Sequence, residues 1–479
     1  MTAQNHTIKK FALELQTQSS EQSYALQSRC IKLVKEELAD DMDKLLSTYF
    51  PGDEIIRINK IEIDLGDIST EDLERDFIAK CMTGFTNTIK KIHIQKDSPA
   101  ETEVVKIDKE ENSIEQLFYF LASGKMPWAN YGISFSQWQY SITDAIKSKT
   151  DFFKERFSVF LLQNPGAIER LILQFDDGFI ISLVELYHPE VRKEFISLAQ
   201  VLNDKILTAV TKILRKKIFT EVLPGLLSYK NKVDIQQVQE LTAWISKQFP
   251  EGGYKKIFAA LNEIIETIAE KLFNVFKPGS EKEIAVQKID KEDEPAEKEN
   301  ELKEKIAGKE EDKAMYIQNA GLILLHPFLQ NLFVATGLME VDNFKDAYSK
   351  QKAVHILQYL VGGQQQLPEY IMPLNKILCG VSGEEHIDRF IKLEEAEIKE
   401  ANALLNAVLT HWGALKNTSE EALQETFLQR KGKLSFNETD GYWKLQVERK
   451  AVDILLDRIP WGYSYVQLPW MKQVLVTEW

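Results

Sequence analysis

A mainly α-helical chain of several domains, with small α+β units at its ends, a helical middle and a charged flexible linker, is predicted from three observations. The 479 residues exceed what a single hydrophobic core supports. Apolar residues recur three and four positions apart over most of the length, the period of a helix that buries one face. Period-2 alternation, the signature of a half-buried strand, is confined to the two ends.

Phe11, Leu13 and Leu15 alternate with Ala12, Glu14 and Gln16, which predicts a first strand. A long helix follows on the stripe Leu26, Cys30, Leu33, Val34, Leu38, Met42 and Leu45, and Pro51-Gly52 closes the connection after it. Ile56 and Ile58, then Ile61, Ile63 and Leu65, predict a second strand with a bulge at Asn59-Lys60, where the alternation slips phase. Ser69 and Asp72 have the spacing of a capping box ahead of a helix on Leu73, Phe77, Cys81 and Phe85. Residues 1–94 therefore read as an N-terminal α/β unit.

Composition then turns polar over 95–112, which reads as a linker, and "VKIDKEEN" at 105–112 is echoed by "QKIDKEDE" at 287–294. Residues 113–277 give successive amphipathic helices, with turns expected at Asn164-Pro165-Gly166, His188-Pro189, Pro224-Gly225 and Pro250 to Gly253. The last stripe of this middle domain is Ile257, Leu261, Ile264, Ile265, Ile268 and Leu272. Residues 278–313 are dense in Glu, Lys and Asp with little to bury, the composition of a solvated, disordered linker and of a first site for proteolysis.

The C-terminal domain, 314–479, opens on an uncharged stretch from Ala314 to Met339. Gln318, Asn319, His326, Pro327, Gln330 and Asn331 interrupt it, whereas a membrane span needs about 20 predominantly apolar residues. Two buried helices broken at His326-Pro327 are expected instead, with no stable membrane insertion. Further helices are predicted near 346–361, 369–379, 394–416 and 419–430, the last capped by Thr418 with Glu421. A β-hairpin follows on Leu434 and Phe436, a turn through Asn437 to Gly441, and Trp443, Leu445 and Val447.

Five of the eight tryptophans, Trp412, Trp443, Trp461, Trp470 and Trp479, crowd into this end. Tryptophan is enriched in interface hot spots, which makes Trp443, Trp461, Trp470 and Trp479 candidate partner-docking residues. The alternative is that a small domain needs large residues for its own core. The hairpin strand at 443–447 and the strand at 56–65 share alternation, and isolated strand pairs are marginal, so one mixed sheet joining the two ends is a further expectation.

Elements of catalysis are missing from the pattern. Neither G-x-G-x-x-G nor G-x-x-x-x-G-K-[ST] occurs, so a nucleotide cradle is unsupported. Gly380-Val381-Ser382-Gly383 lacks the spacing of a nucleophile elbow and reads as a helix end and loop. Cys379 precedes His386 by seven residues, yet it ends an apolar run and behaves as a small hydrophobe. The seven histidines form no metal-ligand pair, His326 and His411 read as core or cap residues, and Asp64 with Asp67 lacks the other ligands of a calcium loop. Neither an enzyme nor a cofactor or metal site is expected.

Bulk properties narrow the class. A formal charge of -14 disfavours binding to a phosphate backbone and suits a basic protein partner. Cys30, Cys81 and Cys379 lie far apart, which fits a reducing compartment. The start, Met1 to Lys10, has no apolar core of the kind a secretory signal requires, so a cytoplasmic location is expected.

Several phrases resemble the tape measure proteins of contractile injection systems, the phage-tail-like particles that drive a tube through a target membrane. They are "HTIKKFALEL" at 6–15 and "INKIEIDLGDI" at 58–68, then "LASGKMPWANYG" at 121–132. The C-terminal end adds "AGLILLHPFLQNLFVATGL" at 320–338, "NKILCGV" at 375–381, "LLNAVLTHWGALKNTS" at 404–419, "FLQRKGKL" at 427–434, "WKLQVERKAVDILLDRIPW" at 443–461 and "LPWMKQVLVTEW" at 468–479. The resemblance implies a structural protein that works with tube, baseplate or other tail proteins, in the cytoplasm during assembly and then inside the particle. The alternative is a cytoplasmic adaptor or chaperone-like scaffold. As a ruler the chain is short: the whole of it as one helix reaches about 720 Å, and the roughly 220 residues between the family-like ends about 330 Å. The Pro-Gly turns fold it back and shorten it further.

Overall fold

A computed structural model describes residues 11–17, 20–50, 55–58, 60–94, 104–127, 133–203, 208–227, 255–275 and 314–479, with a few isolated positions besides. The chain is mainly helical, with small strand assemblies. It divides into two compact units, one built from 1–115, 128–132 and 138–149, the other from 116–127, 133–137 and 150–479.

In the first unit, helix Ser20–Leu33 passes through a π-helical turn, Val34–Leu38, into helix Ala39–Tyr49. The turn has a sequence cause. The buried positions are Cys30, Leu33, Leu38 and Met42, and the five-residue step from Leu33 to Leu38 would rotate off the core face in a regular α-helix. A wider turn brings Leu38 back onto it. Helix Leu73–Ile94 supplies the opposing stripe Leu73, Phe77, Cys81, Phe85, Ile89 and Ile92. Arg29 meets Glu74 near one end, with contacts of 2.8 and 2.7 Å, and the Tyr49 ring meets His93 at 5.6 Å near the other. The two helices therefore run in the same direction, and the chain between them must return.

Part of that return is β1, Ile55–Ile58, which pairs antiparallel with β2, Val104–Ile107. The stretch read as a linker thus contributes a β-branched strand, and helix Lys109–Ser123 begins just after it. Residues 60–69 carry no regular secondary structure, yet Ile61, Ile63 and Leu65 pack on the core while Glu62 and Asp64 face solvent. Their alternation records an extended chain without a ladder partner. The bulge expected at Asn59 lies outside the described residues, as do Pro51-Gly52 and Pro250 to Gly253.

The expected first strand is not formed: residues 11–17 are irregular, with Phe11 and Leu15 exposed and Leu13 alone against the core. Alternation over so few residues does not make a strand when β1 already has β2 as its partner. Nor does the capping box at Ser69 form, since the Ser69 hydroxyl accepts from the Glu71 amide and the helix begins at Leu73.

The second unit contains helices Thr150–Gln163, Gly166–Gln174, Asp177–Tyr187, Arg192–Leu202, Thr208–Leu226 and Lys255–Val275. The turns at Asn164-Pro165 and His188-Pro189 fall where proline and the caps place them, and Asp176 caps its helix by accepting from the Phe179 amide at 2.9 Å. Pro224-Gly225 does not break its helix but sits in its last turn, where few following amides depend on the lost geometry. Phe118, Phe153, Phe157 and Phe160 stack in a column, with centroids down to 4.8 Å.

Residues 314–479 complete this unit around one core. β3, Met315–Ile317, leads into a 3-10 helix, Ala320–Leu325, whose six residues are all buried, and then into helix His326–Ala335 with Pro327 in its first turn. The expected pair of helices is present, but the first is a tight 3-10 segment and a strand precedes it. Among the described residues no helix is long and apolar enough to cross a membrane. A two-residue connection joins β4, Met339–Glu340, to β5, Asn343–Phe344.

Helices Ala347–Gly362, Pro373–Leu378 and Glu395–His411 surround the 3-10 helix. The cap after Trp412 falls on Ser419, whose hydroxyl accepts from the Ala422 amide, and not on Thr418. The hairpin forms as expected from β6, Gly432–Asn437, and β7, Tyr442–Val447, with Leu434 opposite Leu445 and Phe436 opposite Trp443. With β8, Tyr465–Val466, and β9, Leu475–Glu478, the sheet order is β3-β6-β7-β9-β8. All neighbours are antiparallel except β7 and β9. β1 and β7 thus belong to separate sheets, because each already has partners from its own unit. Among the described residues, the single mixed sheet expected from shared alternation is not formed.

Candidate docking surface and buried polar centres

The four nominated tryptophans all lie against the C-terminal core and are partly buried. Trp443 sits on β7 with its ring centroid 5.0 Å from that of Phe436. Trp461 donates its indole N–H to the Leu324 carbonyl at 3.0 Å and meets Phe328 edge-on at 5.2 Å. Trp470 donates to the Leu378 carbonyl at 2.8 Å. Trp479 donates to Asp453 Oδ2 at 3.0 Å. Trp412, fully buried, donates to the Leu455 carbonyl at 3.2 Å. Indoles thus serve here as large apolar bodies whose one donor answers a carbonyl or carboxylate that the irregular backbone leaves open.

Trp470 shows how this works. Helix Pro373–Leu378 ends in a Schellman turn: the Val381 amide reaches the Lys376 carbonyl at 2.8 Å, and the Gly380 amide reaches that of Ile377 at 3.0 Å. Gly380 takes the left-handed conformation, φ +65°, and a Cβ there would stand 2.5 Å from the Trp470 carbonyl oxygen. The Leu378 carbonyl, unmatched within the turn, is the one that Trp470 takes. Gly380 to Gly383 is therefore a helix end, as its spacing implied.

Trp479 closes a second centre. Arg430, fully buried, pairs with Asp453 and donates to the carbonyls of Thr426 at 2.7 Å and Glu448 at 3.0 Å. Its guanidinium lies 5.5 Å from the centroid of the Trp479 ring. Burial alone would raise the Asp453 pKa, but hydrogen bonds from Arg430, the Lys450 amide and Trp479 outweigh it and hold the carboxyl below its ordinary value.

A third centre escaped the sequence reading altogether. Arg170 on helix Gly166–Gln174 donates to Glu369 Oε1 at 2.5 Å and to the Leu121 carbonyl. Lys376 Nζ stands 3.5 Å from the other oxygen of Glu369. The three side chains are all at least nine-tenths buried. Burial pushes the Lys376 pKa down, partly offset by Glu369. Gly124 of the phrase "LASGKMPWANYG" adjoins this site, since a Cβ there would stand 2.5 Å from Glu369 Oε1. No spacing signal could have found the centre, because Arg170 and Glu369 are 199 positions apart.

The other residues weighed for chemistry have the following surroundings. Cys379 is fully buried and desolvation raises its thiol pKa well above the ordinary value, while His386 faces Glu169 at 3.6 Å. His326 Nδ1 donates to the Ile323 carbonyl at 3.0 Å, and burial lowers its pKa. At Asp64 and Asp67, where a calcium loop was weighed, the Lys80 ammonium donates to the Leu65 and Asp67 carbonyls at 3.0 and 2.7 Å.

Large apolar side chains exposed to solvent on the C-terminal part are different ones: Tyr316 on β3, Tyr465 on β8, Ile454 and Val341. Tyr316 and Tyr465 stand on the two edge strands of the sheet. Sequence alone did not separate them from core positions, since both lie in short strands without clear alternation.

No curated protein and no solved structure matches this chain. Residues 5–479, nearly the whole chain, match the family described as contractile injection system tape measure protein. Several of the phrases that carry the resemblance hold the features just described, the glycine beside Glu369, the Schellman turn, the Arg430 centre and the tryptophan donors. The chain belongs to the contractile injection system tape measure protein family.

Proposed function

We propose that this chain nucleates and organises tube assembly as a folded body, and that it does not set tube length by its own extension. Its contacts are with tube, baseplate or other tail proteins, made in the cytoplasm and kept in the finished particle. The C-terminal region docks, with the solvent-facing rims of Trp443, Trp461, Trp470 and Trp479 as the contact residues. One observation carries this reading: residues 150–275 and 314–479 fall in one compact unit, tied by buried bonds between Arg170 and Glu369. A single extended helix would have to give up those bonds and expose the apolar core of 317–475 as well.

Lengthening the segment Pro278 to Lys313 by several tens of residues, then imaging purified particles, tests it. Unchanged tube length is expected; a tube that grows in step with the insertion would restore the ruler mechanism. A second reading, an adaptor that leaves before maturation, is favoured by the internal use of three nominated indole donors, which limits what they offer a permanent partner. Mass spectrometry of the same particles decides between them, since an adaptor is absent from the finished assembly.

A further inference from the structure

Residues 382–393 have no helix or strand, yet Ile387, Ile391 and Leu393 are buried. A buried irregular segment must find partners for its backbone groups, and here it finds them on side chains. On one side, Gln174 donates to the Ile387 carbonyl at 2.7 Å, Glu369 Oε2 accepts from the Ile387 amide at 3.1 Å, and the Arg389 amide donates to the Leu173 carbonyl at 3.1 Å. On the other, Gln351 donates to the His386 carbonyl at 3.2 Å and accepts from the Asp388 amide at 3.1 Å. His355 contacts the Asp388 carbonyl at 2.9 Å, and Gln365 accepts from the Leu393 amide at 3.0 Å.

The segment is therefore a strap between helix Gly166–Gln174, which reaches it through Leu173 and Gln174, and the C-terminal core, which reaches it through helix Ala347–Gly362, Gln365 and Glu369. Lys376 holds its start, donating to the Glu385 carbonyl at 2.6 Å and the Gly383 carbonyl at 3.3 Å. Gln174 also accepts from the Glu369 amide at 3.0 Å, so strap and buried ion pair form one network.

We propose that this strap is a releasable clasp, a polar seam along which the helices of 150–227 part from the core of 314–479 while both remain folded. The physical reason lies in what opening exposes. Amides, glutamines and paired charges regain hydrogen bonds from water, whereas separation inside the sheet or around Leu322 to Phe333 would expose apolar surface with no such compensation. Segments held by exchangeable polar bonds open below the threshold of global unfolding. Aromatic contacts such as Phe135 with Tyr370, 6.3 Å between centroids, and Arg389 over Phe135, 4.5 Å, keep the seam shut at rest. Opening would bare the strap and the end of helix Gly166–Gln174 to a tail protein; that use rests on the assembly role proposed above, whereas the opening itself is a property of the free chain.

Hydrogen–deuterium exchange with mass spectrometry on the full-length protein reads it directly. Peptides covering 166–174 and 382–393 are expected to exchange together and faster than those covering 322–333 and 432–447. Glu369→Gln leaves Arg170 and Lys376 without their counter-charge and is expected to speed the seam peptides about 100-fold, with 432–447 unchanged. Gln174→Ala removes two bonds across the seam, to the Ile387 carbonyl and from the Glu369 amide, without removing the ion pair, and is expected to shift the same peptides about 10-fold even if the first variant does not fold. Seam peptides that exchange only in step with 432–447, or that ignore Gln174→Ala, would overturn the clasp. Tube length in particles carrying the linker insertion reports on the assembly role separately.

Discussion

Glu169 lies beside the strap on the solvent side, with His386 at 3.6 Å and Lys216 at 2.6 Å. His386 and then Lys216 hold its carboxyl at about 2, below an ordinary value of 4.5, against the opposing effect of burial. The sign follows from linkage: a carboxylate whose pKa is lower in the folded state contributes stability above the unfolded value, and loses it as pH falls through the folded one. The contribution of Glu169 is therefore full above pH 4.5 and disappears between 4.5 and about 2. Urea midpoints measured across that window should fall less for Glu169→Gln than for the natural chain. Equal slopes would mean that the His386 contact does not persist in solution. Sequence did not reveal this pairing, since nothing local connects residue 169 with residue 386; what it did reveal at residue scale were glycines and prolines, whose backbone geometry is intrinsic.

At the scale of elements, helix periods were legible wherever one face was apolar and the other charged. Ala347–Gly362, Glu395–His411 and the hairpin of β6 and β7 lie within a few residues of the expected places. Strand identity failed where a partner decides it: 11–15 and 61–65 alternate like strands but lack ladders, while β2 hid in a segment read as linker. The buried helix expected before His326 is the 3-10 segment Ala320–Leu325, a type that a run of buried apolar residues does not reveal because it carries no period. Its close approach to the adjoining π-helical turn Gln424–Leu428 requires glycine at 321, where a Cβ would overlap the Phe427 carbonyl oxygen. Gly321→Ala should cost about 3 kcal/mol or more, since the overlap is with backbone and not with the flexible end of a side chain. A thermal melt that leaves the transition unmoved would show that the two turns can separate freely.

Across the whole molecule, the unit made of 116–127, 133–137 and 150–479 is the main departure from a string of domains. Domain boundaries drawn from composition place the helical middle and the C-terminal region on either side of a charged tract. Buried bonds from Arg170 to Glu369, from Gln174 to Ile387 and from Arg389 to Leu173 nevertheless unite them. Limited trypsin treatment is expected to cut first within 278–313, where lysines abound and little can be buried. The two products should then elute together on gel filtration and separate only in denaturant. Immediate separation of native fragments would contradict the single unit and with it the folded assembly role.

By itself the amino-acid sequence determined the helical class, the turns at Asn164-Pro165 and His188-Pro189, the hairpin, and, through its phrases, the family. Each of these depends on residues a few positions apart, so periodicity and backbone preference suffice. Tertiary structure alone decided which strands pair, where the tryptophan donors go, and how the strap and its buried charges join segments some 200 residues apart. Those outcomes rest on which polar groups meet once the chain has collapsed, and burial makes that choice costly to get wrong while leaving no local trace of it.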